Sequence, residues 1–336
     1  MRGTVLVTGG AGYIGSHTCK ALAHSGFTPV TFDNLSIGNR WAVRWGPIEI
    51  GDISDIARLG EVMRRHNPVG IVHFAALALV GESMTEPALY YRQNVAGTLA
   101  VLEAARAAGL PPFVFSSTCA VYGTSSEGCI DESLPTAPIN PYGASKLMVE
   151  RVLEDYGRAY GLRSATLRYF NAAGADPDGE IGEFRANETH LIPNAVEALL
   201  GRKQALQVFG RDYPTEDGTA IRDYIHVSDL ALAHVRALER LIGGGDRFVC
   251  NLGTGSGASV AHIVAMLERL ANRKLPLEDA PRRPGDPPEL VANPSLSKKL
   301  LGPDLTTRSD IETILRTALV WHQGERLAAL APSLQA

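Results

Sequence analysis

Apolar positions in the first half of the chain follow two alternating patterns. Short continuous apolar runs, typical of buried strands, alternate with longer segments in which apolar residues recur at helical spacing. The predicted strands are Val5–Val7, Pro29–Phe32, Val69–Phe74, Phe113–Phe115 and Ala165–Tyr169. The predicted helices between them are Ser16–Ser25, Ile56–His66, Pro87–Ala108 and Pro141–Tyr160. This alternation favours an α/β fold of the Rossmann type, a doubly wound parallel sheet covered by right-handed helical crossovers.

The alternation loosens after about Asn171, where connections rich in glycine and proline begin. We therefore predict a Rossmann-type domain over residues 1–171 and a smaller mixed α/β lobe over residues 172–336. Some of the second segment is expected to return to the first domain. A chain of 336 residues with 45% hydrophobic content can bury the core that such an architecture needs.

Composition excludes several classes of partner. A formal net charge of −4 gives no electrostatic attraction for nucleic acid or an anionic membrane surface. No apolar run has the length of a signal peptide or a membrane span. The four cysteines, Cys19, Cys119, Cys129 and Cys250, lack metal-ligand spacing and are typical of reduced thiols. We expect a cytoplasmic protein with no metal site, no nucleic-acid partner and no membrane partner.

A glycine-rich loop follows the first predicted strand. Its glycines are Gly9, Gly10, Gly12 and Gly15, and a helical segment comes directly after them. In this strand-turn-helix context Gly9 allows the tight turn and Gly12 lets the backbone approach a pyrophosphate. Gly15 allows the helix to pack closely on the strand, and the helix N-terminus then faces the anion. The loop predicts a dinucleotide-binding site.

Carboxylates at the ends of the next two strands refine this prediction. Asp33 ends the second predicted strand, where a carboxylate can accept both hydroxyls of an adenosine ribose. Its charge would repel a 2′-phosphate, which favours NAD over NADP. The alternative is an Asx turn at Asp33 and Asn34. After the third strand, Asp52 can meet the adenine amino group and Ile53 the adenine ring face, although an ordinary turn has the same composition.

Three residues predict proton-transfer chemistry at the same edge of the sheet. Tyr142 and Lys146 lie four residues apart on a predicted helix that begins at Pro141, so their side chains share one face. A phenol becomes a base at neutral pH when its pKa falls from about 10 to about 7, which requires about 4 kcal/mol. A neighbouring ammonium and a nicotinamide cation would supply this stabilisation. Thr118, at the end of a strand, would bond the substrate oxygen and orient its proton toward Tyr142.

The same spacing has a simpler explanation. A tyrosine and a lysine four residues apart also occur as a partly exposed phenol beside a solvated ammonium. The nucleotide loop and Thr118 favour the catalytic interpretation.

Further stretches carry a resemblance to a known family. They are Gly9–His17, His73–Ala76, Val80–Ser83, Asn94–Thr98, Val121–Gly123, Leu167–Asn171, Gly210–Thr219 and Arg222–Val227. Over nearly its whole length the chain resembles the extended short-chain dehydrogenase/reductase family, and within it the UDP-sugar 4-epimerases. The resemblance implies reversible C4 epimerisation of UDP-galactose and UDP-glucose through a 4-keto intermediate, with tightly held NAD, in galactose metabolism.

The resemblance also implies site residues. For NAD they are Gly9, Gly12, Tyr13, Ile14, Asp33, Asn34, Asp52, Ile53, Phe74, Ala75, Ala76, Asn94, Ser116, Tyr142, Lys146 and Tyr169. For the UDP-sugar they are Thr118, Tyr142, Asn171, His190, Leu191, Arg222, Arg283 and Asp286. Without the resemblance, residues 282–286 would be interpreted as a solvated basic turn. Residues 172–336 become the UDP-sugar-binding lobe, and a homodimer is expected through the helices Pro87–Ala108 and Pro141–Tyr160.

Two positions depart from the family pattern. Some members carry a lysine that helps to hold the cofactor where this chain has Ala78, so we expect looser NAD binding. Leu290 aligns with a gate position at which a tyrosine narrows the sugar pocket and a small residue admits N-acetylated sugars. Because leucine is intermediate in size, we expect some side activity on UDP-GlcNAc and UDP-GalNAc.

Three other functions compete with this prediction. A sugar-nucleotide 4,6-dehydratase typically needs an Asp-Glu pair after the active-site threonine, whereas Cys119 and Ala120 follow Thr118 here. A UDP-glucuronate decarboxylase or 4-epimerase stays open, because recognition of a C6 carboxylate can rest on a few substitutions. A non-catalytic NAD sensor would have no need of the triad formed by Thr118, Tyr142 and Lys146.

Overall fold

The computed structural model describes residues 2–124, 128–283 and 285–324. The strands are β1 (Thr4–Thr8), β2 (Thr28–Asp33), β3 (Ile48–Ile50), β4 (Gly70–His73), β5 (Phe113–Thr118), β6 (Ser164–Tyr169), β7 (Asn171–Ala173), β8 (Leu206–Phe209), β9 (Ile221–His226), β10 (Phe248–Leu252), β11 (Gly257–Ser259), β12 (Leu277–Ala280) and β13 (Glu289–Leu290). The helices are α1 (Tyr13–His24), α2 (Ile56–His66), α3 (Val80–Thr85), α4 (Pro87–Tyr90), α5 (Gly97–Ala107), α6 (Pro141–Tyr160), α7 (Leu191–Leu199), α8 (Val227–Ile242), α9 (Val260–Ala271), α10 (Ser295–Leu301) and α11 (Ile311–Gln323).

Seven parallel strands form the main sheet in the order β3-β2-β1-β4-β5-β6-β10. The strands β2 and β3 lie on one side of β1, and the strands β4, β5, β6 and β10 lie on its other side, so the strand order reverses between β1 and β4. In open α/β sheets the carboxyl ends of the strands at such a reversal border the ligand crevice. The predicted Rossmann-type α/β fold is confirmed, and the loops after β1, β4 and β5 meet at this edge.

Side chains of the central strands alternate between two apolar layers. Val5 and Val7 of β1 face α1 and α8, whereas Leu6 faces α2, α5 and α6. All three side chains are fully buried. This two-sided burial explains why the strands have continuous apolar sequences, as parallel strands covered on both faces require.

One predicted helix is interrupted. The apolar pattern predicts a single helix over Pro87–Ala108, but α4 ends at Tyr90 and a π-helical turn spans Tyr91–Ala96 before α5 begins. Turns of this kind are common at functional sites. Here the turn carries the buried Asn94, whose amide hydrogen-bonds the backbone of Leu77 in the loop after β4. The interrupted part of the helix thus makes a contact with a residue 17 positions earlier in the sequence, which the local apolar pattern cannot predict.

The chain returns to the main sheet after leaving it. β10 pairs with β6, so Phe248 and Ala165 are in register. The remaining strands form a sheet in the order β11-β9-β13, with β7 also on β9, and a separate parallel pair of β8 and β12. A third apolar cluster lies among α7, α9 and α11. Residues 325–336 of the predicted second lobe lie outside the described residues.

A buried lysine connects α1 to the connection after β7. The Nζ of Lys20 lies 2.8 Å from Asp176, 2.6 Å from Asp178 and 3.0 Å from Glu180. The Lys20 side chain is only 9% exposed. Three carboxylates therefore compensate the burial of one ammonium, which would otherwise be costly.

No helix in the described residues is long and apolar enough to cross a lipid bilayer.

A buried ion pair fixes α6 on the sheet. Glu150 accepts hydrogen bonds from Arg168 of β6 and from the hydroxyl of Ser117 in β5. Substituting Glu150→Ala would leave the guanidinium buried without its partner. We expect the free energy of unfolding to fall by about 3–5 kcal/mol, measured by urea unfolding at a fixed NAD concentration. Asp155→Ala, on the exposed face of α6, should change it by less than about 0.5 kcal/mol. Equal losses in both variants would contradict this assignment.

Candidate active site

The loop after β1 has the geometry that its glycines predict. Gly9 adopts a φ of +73°, and a Cβ on Gly15 would lie 2.2 Å from the carbonyl oxygen of Gly9. α1 begins at Tyr13, with Gly12 at its N-cap and no capping side chain among the described residues. Among the described residues, a Cβ built on Gly12 would have one neighbour within 4 Å, the carbonyl oxygen of Gly9 at 3.3 Å. Open space and uncapped helix amides fit a dinucleotide pyrophosphate.

Asp33 supports this loop directly. Its Oδ2 accepts a hydrogen bond from the backbone N–H of Ala11, and its Oδ1 accepts one from Leu35. The second bond is the Asx turn of the alternative interpretation. An ionised carboxylate has about four acceptor positions, so two stay available for ribose hydroxyls. Burial raises the pKa of Asp33, although these two backbone hydrogen bonds oppose the change.

The predicted adenine-binding residues lie beside Asp33. Asp52 accepts hydrogen bonds from the side chain of Asn34 and from Ser54. Burial raises the pKa of the Asp52 carboxyl, but these hydrogen bonds outweigh burial and lower it overall. Ile53 is buried in the apolar layer between the sheet and α2, next to Gly97.

Helix α6, which carries Tyr142 and Lys146, starts at a strong local signal. Asn140 caps it by accepting a hydrogen bond from the N–H of Gly143, and Pro141 occupies the first turn. Tyr142 lies in that turn, close enough to Thr118 at the end of β5 for the threonine side chain to act on the pKa of the phenol. Lys146, one turn further, donates to the carbonyl oxygen of Ser116 at 2.9 Å. The structure brings all three predicted catalytic residues together.

Burial favours the uncharged forms of both titrating groups. It raises the pKa of Tyr142 to about 12, although the hydrogen bond from Thr118 opposes this change. It lowers the pKa of Lys146 to about 7. The lowered phenol pKa that the sequence predicts is therefore absent in the protein alone. Desolvation exceeds the effect of neighbouring charges in this crevice.

Two buried side chains hold the loop after β4 beside Tyr142. Asn94 donates to the Leu77 carbonyl and to Ser145 Oγ of α6, and it accepts from the Leu77 N–H. The Tyr90 hydroxyl bonds both backbone groups of Leu79. The Tyr90 ring packs edge-on against Tyr142 with centroids 6.5 Å apart. Asn94 is thus placed to shape the cofactor site through the backbone.

Other predicted cofactor residues line the same edge. The N–H groups of Phe74 and Ala75 both donate to the Thr8 carbonyl, which holds the end of β4 against β1. The hydroxyls of Ser116 and Tyr169 are hydrogen-bonded across β5 and β6. The remaining three residues are half-buried at the crevice, namely Tyr13, Ile14 and Ala76.

One predicted diphosphate residue, Arg222, pairs with the predicted ribose residue, Asp286. Arg222 on β9 forms an ion pair with Asp286, and the Arg283 guanidinium lies 4.0 Å from the centre of the Phe209 ring. Asn171 donates its side-chain amide to the Asp223 carbonyl. Leu290 of β13 is in register with Arg222 and packs against the cluster that contains Val121 and Phe170.

His190 and Leu191 lie at the start of α7. His190 Nδ1 is 2.7 Å from Glu183 Oε1, and its Nε2 is 3.4 Å from Arg185. Glu183 and Arg185 were not predicted, because they lie in an irregular segment where no periodicity or spacing marks them. Tyr90 was not predicted either, because no motif in the sequence marks it.

Comparison with known proteins agrees with this geometry. Residues 5–253, well over half of the chain, match the NAD dependent epimerase/dehydratase family. The chain belongs to this family. A UDP-glucose 4-epimerase of Rhizobium leguminosarum bv. trifolii is 54% identical to it over 319 residues, covering 95% of this chain and 97% of that protein.

Solved structures of similar proteins extend the comparison within the epimerase/dehydratase family. The UDP-glucose 4-epimerase of Brucella ovis in complex with NAD has a TM-score of 0.92 and 54% identity, covering 94% of this chain and 97% of that chain. The enzyme of Bifidobacterium longum in complex with NAD+ and UDP has a TM-score of 0.89 and 36% identity, covering 95% and 98%. The predicted resemblance and the predicted NAD dependence are confirmed.

The charge of Asp33 is expected to set the choice of cofactor. The substitution Asp33→Asn keeps an acceptor oxygen but removes the charge that repels a 2′-phosphate. We expect the affinity for NADP relative to NAD to rise about tenfold, measured by equilibrium titration of the cofactor-stripped protein. The control is Asp131→Asn, another aspartate that holds an Asx turn at Ser133. The same change in both variants would contradict the assignment.

Proposed function

We propose that this chain catalyses the reversible NAD-dependent C4 epimerisation of UDP-galactose and UDP-glucose, in galactose metabolism. The observation that carries the proposal is the grouping of Tyr142 with Thr118, whose side chain acts on the phenol pKa, and with Lys146 one helical turn away, beside the glycine loop. The curated relatives and the solved neighbours are named as UDP-glucose 4-epimerases. We assign NAD to residues 1–171 and the UDP-sugar to residues 172–336.

NAD fits the residues present. The uncapped start of α1 would hold its pyrophosphate and Asp33 its adenosine ribose. When bound, NAD supplies the hydride acceptor and donor at C4 and a positive charge near the phenol.

The chain's own residues handle the proton of the sugar 4-hydroxyl. Tyr142 removes this proton and later returns it at Oη, and Thr118 orients the oxygen between them. Because the phenol pKa is near 12 in the protein alone, the phenolate forms only when positive charge is nearby. Lys146, with a pKa of about 7, exchanges protons readily at neutral pH and provides part of that charge.

The UDP moiety is assigned to the far end of the crevice. Arg222 and Arg283 suit phosphate oxygens through charge-assisted hydrogen bonds, and Asp286 suits the uridine ribose. The ion pair between Arg222 and Asp286 keeps both groups in place before substrate binds. Leu290, beside this pair, is the proposed gate for the N-acetyl side activity.

The chemistry of residues 119 and 120 disfavours a dehydratase. Burial raises the pKa of Cys119 to about 12, so its thiol stays protonated, and Ala120 has no proton to transfer. Neither residue can remove and deliver protons in the elimination of water. Epimerisation needs a single base at the 4-hydroxyl, a role that Tyr142 can fill.

We propose that two copies associate through α5, α6 and the segment before α5. Apolar side chains are exposed on these elements, namely Met84, Leu89, Leu99, Met148 and Tyr160. By contrast, Leu102 is fully buried in the core of its own chain. Exposed apolar patches of this kind are typical of association surfaces.

A cytoplasmic location completes the proposal, supported by four free cysteines.

Removal of the catalytic hydroxyl tests the reaction. We expect Tyr142→Phe to lower kcat by roughly 10²- to 10⁴-fold, because the substitution removes the hydroxyl assigned to accept the 4-hydroxyl proton. The assay incubates purified protein with UDP-galactose and follows the anomeric protons by NMR, with NAD content measured on the same sample. Tyr91→Phe, which removes an exposed hydroxyl, should keep normal turnover. Full activity of Tyr142→Phe would refute the mechanism.

A charge in the exposed apolar surface tests the dimer. Leu99→Glu would place a carboxylate where the partner chain is expected, so the protein should elute as a monomer in size-exclusion chromatography with light scattering. The control is Val320→Glu on α11, another exposed apolar position. The proposal fails if the unsubstituted chain is already monomeric, or if both variants stay dimeric.

A further inference from the structure

A buried histidine at the end of β4 has no part in the mechanism described so far. His73 is 1% exposed and, unlike the three residues that follow it, is not among the predicted cofactor residues. Its Nδ1 lies 2.6 Å from the hydroxyl of Thr8 in β1, and its Nε2 lies 2.9 Å from the hydroxyl of Thr98 in α5. The imidazole therefore links the strand before the glycine loop to the helix that follows the π-helical turn.

The partners of this histidine determine which ring nitrogen carries hydrogen. The Thr98 hydroxyl lies 2.6 Å from the backbone carbonyl oxygen of Asn94, which can only accept. Because a hydroxyl has one hydrogen, Thr98 donates to Asn94 and accepts from His73. Nε2 therefore carries the ring hydrogen, and Nδ1 accepts from Thr8. Burial lowers the pKa of His73 to about 3, and the charge of Lys146 acts in the same direction, so the imidazole stays neutral.

The side chain of Asn94 continues this network to α6. It donates to the Leu77 carbonyl and, at 3.0 Å, to the hydroxyl of Ser145. The Ser145 hydroxyl donates in turn to the backbone carbonyl of Tyr142 at 2.7 Å. Hydrogen bonds and the backbone of a single residue thus connect the imidazole of His73 to the backbone of Tyr142.

Packing alone does not require a polar ring at this position. The His73 ring lies against the rings of Phe113 and Phe115 in β5, with centroids 5.5 and 6.1 Å away. An apolar ring would suit these neighbours equally well. A phenylalanine could not hydrogen-bond the two threonines, and a buried polar group whose bonds are all satisfied favours one arrangement of its surroundings. The imidazole therefore does more than fill space, because it fixes the position of Thr98.

We propose that His73 is a positioning residue for the reaction: through the π-helical turn it holds Asn94, and with it the first turn of α6, where Tyr142 lies. This inference rests on the proposed epimerase function, because it takes Tyr142 as the base. A small displacement of a catalytic group lowers the rate of the reacting step strongly. Because the UDP moiety is assigned to other residues, His73 acts on kcat and leaves KM unchanged.

Removal of one hydroxyl without a change of shape tests the proposal. Thr98→Val breaks the link between His73 and Asn94. In the NAD-saturated protein we expect kcat for UDP-galactose to fall about tenfold with KM unchanged. Thr317→Val on α11 is the matched control, because the Thr317 hydroxyl also bonds a buried histidine, His226, and a backbone carbonyl four residues earlier. This control should keep the normal kcat.

Substitution of the histidine itself separates its hydrogen bond from its bulk. His73→Gln keeps an N–H group that can donate to Thr98 and should retain most of kcat. His73→Phe keeps a ring without a donor and should lose about tenfold. In the double variant of His73→Phe with Thr98→Val the losses should not add, because both substitutions break the same link. Additive losses would show two independent effects and refute the proposal.

Two further results would overturn the inference, namely a normal kcat in Thr98→Val and an equal loss in Thr317→Val. Failure of the proposed function is a separate observation: an unsubstituted, NAD-loaded chain would bind UDP-galactose without converting it. The affinity for NAD then tests the inference, because Asn94 also fixes the loop after β4. The Kd for NAD of the cofactor-stripped protein should rise about threefold in Thr98→Val and stay constant in Thr317→Val. The same Kd in both variants would refute the role of His73.

Discussion

The close approach of α1 to the turn after β1 is the constraint on which the site depends. With only 2.2 Å between the Gly9 carbonyl oxygen and a Cβ built on Gly15, no side chain larger than hydrogen fits between helix and strand. This approach directs the helix amides into the crevice and brings Asp33 within reach of the loop. Since β4 pairs with β1 and β5 pairs with β4, the same packing places the end of β5, against which Tyr142 and Lys146 of α6 lie.

Burial gives the crevice its chemical character. Removing water makes neighbouring charges act strongly, but it also opposes the ionised forms on which catalysis relies. In the chain alone Tyr142 keeps its proton, and at neutral pH Lys146 is close to losing one. The base is thus inactive until a positively charged partner arrives. A site with these properties does not act as a base in the absence of its cofactor.

Local sequence signals predicted the elements that carry the chemistry. The helix bounds Ile56–His66 and Pro141–Tyr160 match the structure, because a polar cap or a proline marks each start. The glycine loop, Asp33 and the catalytic triad could also be found, since their functions depend on short spacings.

Features that depend on distant contacts could not be predicted in this way. The π-helical turn coincides with a bond between Asn94 and Leu77, and the Asp286 partner of Arg222 is 64 residues away. The orientation of Arg185 depends on Glu183 and His190 in an irregular segment. The rise of the Tyr142 pKa in the chain without cofactor could not be predicted either, because spacing identifies neighbours but not the extent of desolvation.

The lysine network between α1 and the connection after β7 has a consequence for how the cofactor leaves. Lys20 and its carboxylates join α1, the helix to which the cofactor pyrophosphate is assigned, to the segment that leads to α7. Any opening that separates these two parts must hydrate the buried ammonium of Lys20 and the buried carboxylate of Asp176 together. Ions in solution screen this attraction little, because the ammonium is shielded from them. The Lys20 network therefore opposes separation of α1 from the connection after β7. An enzyme that regenerates its cofactor in every cycle benefits when these two segments stay together between turnovers.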